Sequence, residues 1–136
     1  MTGSYVTVEI RGVKYVLDSS VETVKVLSSN ATFIASHAAQ SLVDTSTGSD
    51  YVVTTGKTFT ALGCFVTRAL GTITYLFYSG DSADATTSLK NTLVVNGTAS
   101  SDEQEYPLKF TVAASKYLTV DPDSTGVTVI VIGFES

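Results

Sequence analysis

The octapeptide "VTTGKTFT", residues 53–60, admits two readings, and the choice between them decides the fold. Its Gly56-Lys57-Thr58 matches the tail of a phosphate-binding loop, which would put a helix after the turn and make the chain an α/β nucleotide-binding protein. That loop also needs a glycine five residues before Gly56, where successive N–H groups curl around a phosphate. Position 51 is Tyr, and the following "FTALGCFVT" has the β-branched and aromatic character of a strand. The pattern also occurs a second time. "VAASKYLT", residues 112–119, repeats Val-x-x-Gly/Ser-Lys-x-Phe/Leu-Thr. A motif used twice where one strand gives way to another is turn chemistry, with a small residue at the tight position and a solvated lysine beside it. The octapeptide is therefore read as a strand-turn-strand corner in an all-β shell.

Strand signals extend outward from it in both directions. "YVTVEI" (5–10) and "VETVKVL" (21–27) alternate apolar and polar residues, "VKYVL" (13–17) follows Gly12, and "ATFIA" (31–35) is a further apolar run. "SHAAQSLVDTSTGSD" (36–50) loses the period and ends in small polar residues, which predicts a loop or linker with one helical turn at 38–43. The chain is thus divided into an N-terminal arm, 1–50, and a body, 51–136. The body supplies "YVVTT", "TFTALGCFVTRA", "TITYLFYS", "LKNTLVV", "YPLKFTV", "KYLTV" and "GVTVIVIGFE", separated by polar loops at 80–88 and 96–105. No segment holds a 3.6-residue period. The expected architecture is an all-β antiparallel β-sandwich of jelly-roll type with an extended β-rich arm.

Two body strands are apolar on both faces. In "GVTVIVIGFE" Val127, Val129 and Val131 alternate with Ile130, Ile132 and Phe134; in "TITYLFY" Ile73, Tyr75 and Phe77 alternate with Leu76 and Tyr78. One face of a sandwich strand packs inward and the other is normally wet, so something must cover the second face. The cover is either the chain's own arm or a neighbouring subunit, and both stay open at this level. The candidate oligomer or capsid interface is accordingly Tyr5, Val6, Val8 and Ile10 of the arm with Val127, Val129, Val131, Ile130, Ile132 and Phe134 of the last strand.

Composition excludes several function classes. With 136 residues the chain suits one domain that buries roughly two thirds of its unfolded surface. Charged residues make up only 15%, against about 25% in ordinary soluble domains, so Thr, Ser and Asn carry much of the surface. The net charge is −5 and the basic residues are scattered, which speaks against a nucleic-acid partner. No apolar run approaches the roughly 20 residues of a membrane helix, and "MTGSYVTVEIRG" lacks the basic start and apolar core of a secretion signal. The expectation is a chain folded in the cytoplasm, with no membrane partner.

Nor does any motif carry catalysis. His37 is the one histidine and Cys64 the one cysteine, which leaves no disulfide, no structural metal and no nucleophile-base pair outside His37's immediate reach. Cys64, between Gly63 and Phe65, reads as a small buried hydrophobe. Asp121 and Asp123 with Gly126 open like a calcium loop, but the twelfth position is Ile132 and not a bidentate acid, so a turn is expected. Asp102, Glu103 and Glu105 read as a solvated acidic loop, and the Asn30 and Asn96 triplets as chance glycosylation patterns. Seven Tyr without Trp give sugar stacking a thin basis. No catalytic, cofactor or metal site is expected, and the chain is read as not an enzyme.

The order "VTTGKTF", then "YPLKFTVAASKYLTV", then "VTVIVIGFE" resembles the small jelly-roll structural proteins of tailed bacteriophages, including the capsid decoration, or cement, proteins that sit as trimers on the outside of the head. The resemblance covers residues 51–136, and the corner carries Thr54-Thr55 and Ala113-Ala114 where the family has Pro-Ala. It implies a non-enzymatic virion protein on the outer capsid surface, made in the host cytoplasm, a homotrimer in contact with the major capsid protein. The alternative is a receptor- or glycan-binding module of a tail fibre or spike that uses the loops at 80–88 and 96–105.

Overall fold

The computed structural model describes residues 5–18, 20–29, 39–68, 71–97, 102–123 and 127–136. Among them every regular element is a β-strand: β1 (Tyr5–Ile10), β2 (Val13–Asp18), β3 (Thr23–Ser28), β4 (Gln40–Ser41), β5 (Val43–Asp44), β6 (Ser49–Asp50), β7 (Phe59–Arg68), β8 (Gly71–Gly80), β9 (Ser88–Gly97), β10 (Asp102–Val112), β11 (Tyr117–Pro122) and β12 (Val129–Glu135). They form a six-stranded sheet ordered β10-β7-β12-β3-β5-β6, a four-stranded sheet ordered β4-β11-β8-β9, and a separate β1-β2 hairpin, with all pairings antiparallel.

Eight of these strands obey a simple rule. Taking β3, β4 and β7 through β12 in order, the first pairs with the last and so on inward: β3 with β12, β4 with β11, β7 with β10, β8 with β9. The chain is one antiparallel ribbon doubled back at the β8–β9 turn, and its successive rungs fall alternately into the two sheets.

This arrangement explains the repeated motif. Where the ribbon passes from the β4–β11 rung to the β7–β10 rung, both of its strands must bend together, and the two copies lie there. Lys57 N–H donates to the Thr54 carbonyl at 2.9 Å and Lys116 N–H to the Ala113 carbonyl at 3.3 Å, closing equivalent turns. Gly56 and Ser115 hold the same position in them, with φ of 81° and 65°. The corners are also bonded to each other: Val53 N–H donates to the Lys116 carbonyl at 3.0 Å and Ser115 N–H to the Val53 carbonyl at 2.8 Å. Here the lysines follow a tight turn, not a phosphate cradle.

The main core lies between the sheets. Phe59, Cys64, Val66, Val129 and Val131 from one meet Ile73, Tyr75, Phe77, Val95, Leu118 and Val120 from the other. Ten-residue strands bring enough alternate side chains to this layer that most are fully buried, each contributing roughly 1.5–3 kcal/mol.

Three expectations need correction. The segment 36–50 is not a linker with a helical turn: over 39–50 it holds β4, β5 and β6, with Leu42 and Val43 buried. Its period is illegible because each strand is two residues long and a turn follows at once, with Thr47 and Gly48 N–H donating to the Asp44 carbonyl at 3.1 and 2.8 Å. The boundary drawn at residue 50 falls inside a sheet, since β3 pairs with both β12 and β5. The acidic stretch at 102–105 is the start of β10 and not a loop; its partner is β7, and an acidic edge strand discourages further pairing. The whole of "ATFIA" (31–35), and His37, lie outside the described residues.

Candidate functional site

The second face of β12 is covered by the chain itself. Tyr15 and Leu17 of β2 bury against Phe65 of β7 and Ile132 of β12, ringed by Val8, Ile10, Val13, Val26, Leu62, Ile130 and Phe134. The hairpin delivers them because its two strands place Val6, Val8 and Ile10 opposite Leu17, Tyr15 and Val13, all on one side. Its turn is Arg11-Gly12, both with positive φ (52° and 83°), the two-residue geometry that matches strand twist. On the sheet, the register of β7 against β12 skips Leu62, so Phe59 and Ala61 face the main core, Phe65 faces the hairpin, and Cys64 and Val66 return to the main core. The guanidinium of Arg11 sits 5.8 Å from the centre of the Phe65 ring.

One polar atom in this seam has no partner. The Tyr15 hydroxyl is buried without a hydrogen bond, above Gly63, where a Cβ would lie 3.1 Å from it and 3.3 Å from the Glu105 Oε2. An orphaned hydroxyl costs about 1–3 kcal/mol. Burial first, then the charge of Glu105, push the Tyr15 phenol up to about 12.

The candidate interface residues thus divide sharply. Val127, Val129, Val131 and Ile132 are buried within the chain, Val8, Ile10, Ile130 and Phe134 are half-buried under or around the hairpin, and Tyr5 and Val6 are exposed at 70% and 44%. The other two-faced strand, β8, turns Ile73, Tyr75 and Phe77 into the core. Its reverse face pairs Thr74 with Val94, Leu76 with Thr92 and Tyr78 with Leu89. Leu76 and Tyr78 are half-buried, while Val94 and Leu89 are 51% and 53% exposed. Sequence reasoning singled out Leu76 and Tyr78 but missed Leu89 and Val94, because "LKNTLVV" shows apolar side chains without showing which face each joins.

A second cluster sits at the end of β3, where Lys25, Asp44, Thr47, Asp50, Tyr51, Val52 and Thr54 line a pocket of about 250 Å³. Nothing in the sequence joined these residues, which come from β3, β5, β6 and the corner. Lys25 Nζ is 3.4 Å from Asp44 Oδ2 and 5.9 Å from the centre of the Tyr51 ring. The Tyr51 hydroxyl donates to Glu135 Oε2 at 2.5 Å, and Thr54 N–H donates to the same oxygen at 3.1 Å. Burial raises the Glu135 carboxyl, but these two donors and Lys25 outweigh it and hold it below its ordinary range. Asp44 is lowered in the same way, burial being overcome by the Ser46 hydroxyl and N–H and by Lys25. Burial, then the Glu135 bond and charge, move the Tyr51 phenol far upward.

This chemistry is spent internally. The groups tie the end of β12 to the corner and to β3, and neither phenol ionises near neutral pH. Cys64, wholly buried, has its thiol pushed to about 12 by burial and then by Glu105. Asp123 accepts from Thr74 N–H at 2.9 Å and its own N–H donates to the Thr74 carbonyl at 3.1 Å, so it anchors β8. The loop after β8 is folded back: Asp84 Oδ1 accepts from Ser41 N–H and Asp84 N–H donates to Ser41 Oγ, each at 2.7 Å. Among the described residues no group of three His, Cys, Asp or Glu side chains is placed to hold a metal ion, and no helix is long and apolar enough to cross a membrane. Comparison with protein families, with curated proteins and with solved structures finds no match.

Proposed function

We propose that the chain is a non-enzymatic virion structural protein, a decoration or cement protein on the outer surface of a tailed-phage head, working as a homo-oligomer, a trimer in the reading carried by the resemblance. The observation that carries it is the part of the reverse face of the four-stranded sheet formed by β8 and β9, where Leu89 and Val94 stand exposed beside Leu76, Tyr78, Thr74 and Thr92, with Asp121 of β11 opposite Leu76 and Lys90 at the register shift as its charged neighbours. A surface on which apolar and hydroxylated side chains outnumber charged ones suits broad contact with another protein by burial. The strand order supports the jelly-roll form of that reading, since eight strands paired first-to-last and shared between two sheets are what rolling one antiparallel ribbon produces. The major capsid protein is the proposed partner, and the virion surface the proposed location.

The test is co-sedimentation of the purified chain with phage heads assembled from major capsid protein alone. The chain should pellet with the heads to a saturating ratio and raise their disruption temperature, and Leu89→Ser with Val94→Ser should abolish both effects; failure of the unmodified chain to pellet overturns the reading. The polar pocket beside Lys25 and Asp44 favours the glycan-binding alternative instead, which selective retention on a glycan array would establish.

A further inference from the structure

The β1–β2 hairpin is attached to the body in an unusual way. It shares no backbone ladder with either sheet, so side chains and one tether hold it. A lone two-stranded hairpin is barely stable in water, and the face beneath it, centred on Phe65 and Ile132, is too apolar to stay bare. Hairpin and face each require the other, but nothing in their contact requires that both belong to one chain.

The tether points to exchange. Only residues 19–22 separate β2 from β3, and the turn is closed by Val21 and Glu22 N–H donating to the Asp18 carbonyl at 3.1 and 2.8 Å and by Asp18 N–H donating to the Glu22 carboxylate at 2.6 Å. A short closed hinge is the place where exchange of an element between copies begins, because opening it sacrifices few contacts. The surface around that hinge is also anomalous. Tyr5, Val6, Val21 and Val24, exposed at 70%, 44%, 61% and 36%, lie at this end of the hairpin and are half of the eight large apolar side chains that the described surface exposes. The buried Tyr15 hydroxyl without a partner weakens the seam relative to the main core.

We infer that the hairpin is an exchangeable clasp whose docking partner is the same face on a second copy of this chain. In the exchanged form Tyr15 and Leu17 make the contacts with Phe65 and Ile132 described above, but across the subunit boundary. The two opened hinges run past each other and bury Tyr5, Val6, Val21 and Val24, a contact that the closed chain does not have. Reciprocal exchange between two copies leaves neither docking face bare and so closes the assembly as a two-fold pair. The inference goes beyond the capsid reading and stands without it, since it concerns only copies of this chain.

The experiment mixes uniformly ¹³C-labelled and unlabelled full-length chains in equal amounts, unfolds them and refolds them together at high concentration. Isotope-filtered NOEs are then recorded alongside the solution mass by light scattering. Expected are cross-peaks between Leu17 methyls of one chain and the Phe65 ring or Ile132 methyls of a differently labelled chain, with a mass at a multiple of 14.3 kDa. Leu17 contacts confined to chains of a single label overturn the inference, whether the mass is that of a monomer or of an oligomer assembled in another way. Loss of capsid co-sedimentation would leave this result untouched, so the two readings fail separately.

Discussion

The two sheets carry two-faced strands, and they treat the second face differently. On the six-stranded sheet, Ile132 and Phe65 of β12 and β7 are sealed by the hairpin to 0% and 5% exposure. On the four-stranded sheet, the face shared by β8 and β9 keeps Leu89 and Val94 about half in water. Both strands carry the same apolar doubling in the sequence. The same signal thus marks a buried seam in one place and an open surface in the other, which separates what contributes to stability from what is free for a partner.

The sharpest way to break this contrast is to delete side-chain volume beneath the hairpin. Ile132→Ala should cost about 2–5 kcal/mol, read as a lowered denaturant midpoint with an unchanged slope. A loss below about 1 kcal/mol would mean that the hairpin does not seal the face.

Glu135, on the same strand, extends the comparison to charge. Its folded-state pKa is lowered, as is that of Asp44, so their contribution is fully present above the unfolded carboxylate values near 4 and is lost as pH falls through the depressed folded values. Glu135→Gln should cost about 1.5–3 kcal/mol at pH 7, since a charged hydrogen-bond acceptor is lost, and should flatten the acid limb of the stability profile. An unchanged acid limb in urea titrations between pH 5 and pH 2 would place the acid sensitivity elsewhere.

A smaller change sharpens the contrast in the opposite direction. Tyr15→Phe removes the orphaned hydroxyl and should stabilise the chain by about 1 kcal/mol, with slower hydrogen exchange across β1 and β2. Destabilisation would show that the hydroxyl is satisfied in solution. The smallest effect is expected on the open face, where Leu89→Ser should stay within about 0.5 kcal/mol of the parent in thermal melts. A larger loss would mean that this face is covered in the isolated protein.

Much of this could be read from residue order. The strands at 5–10, 13–18 and 23–28 and those of the body from 59 onward follow from alternation, whereas "YVVTT" (51–55), expected as a strand, makes only an isolated bridge at Val52; the corner at 53–60 follows from its repeat at 112–119, because turn chemistry is local. Segment 36–50 was illegible because its strands are too short for a period, and 102–105 because four polar residues read as loop until β7 supplies a partner. The Lys25, Asp44, Tyr51 and Glu135 cluster had no sequence signature at all. Its members lie up to 110 positions apart and meet only because β3 and β12 are neighbours in the sheet.

Residue order alone was enough for the β class, the twin corners and the existence of two strands with apolar second faces, since each rests on periodicity or turn geometry within a few residues. Which of those faces is closed was decided by the fold. It depends on β3 joining β12, which lays the hairpin over Ile132 and Phe65 and leaves β8 and β9 beyond its reach, and long-range pairing of that kind leaves no trace in local pattern.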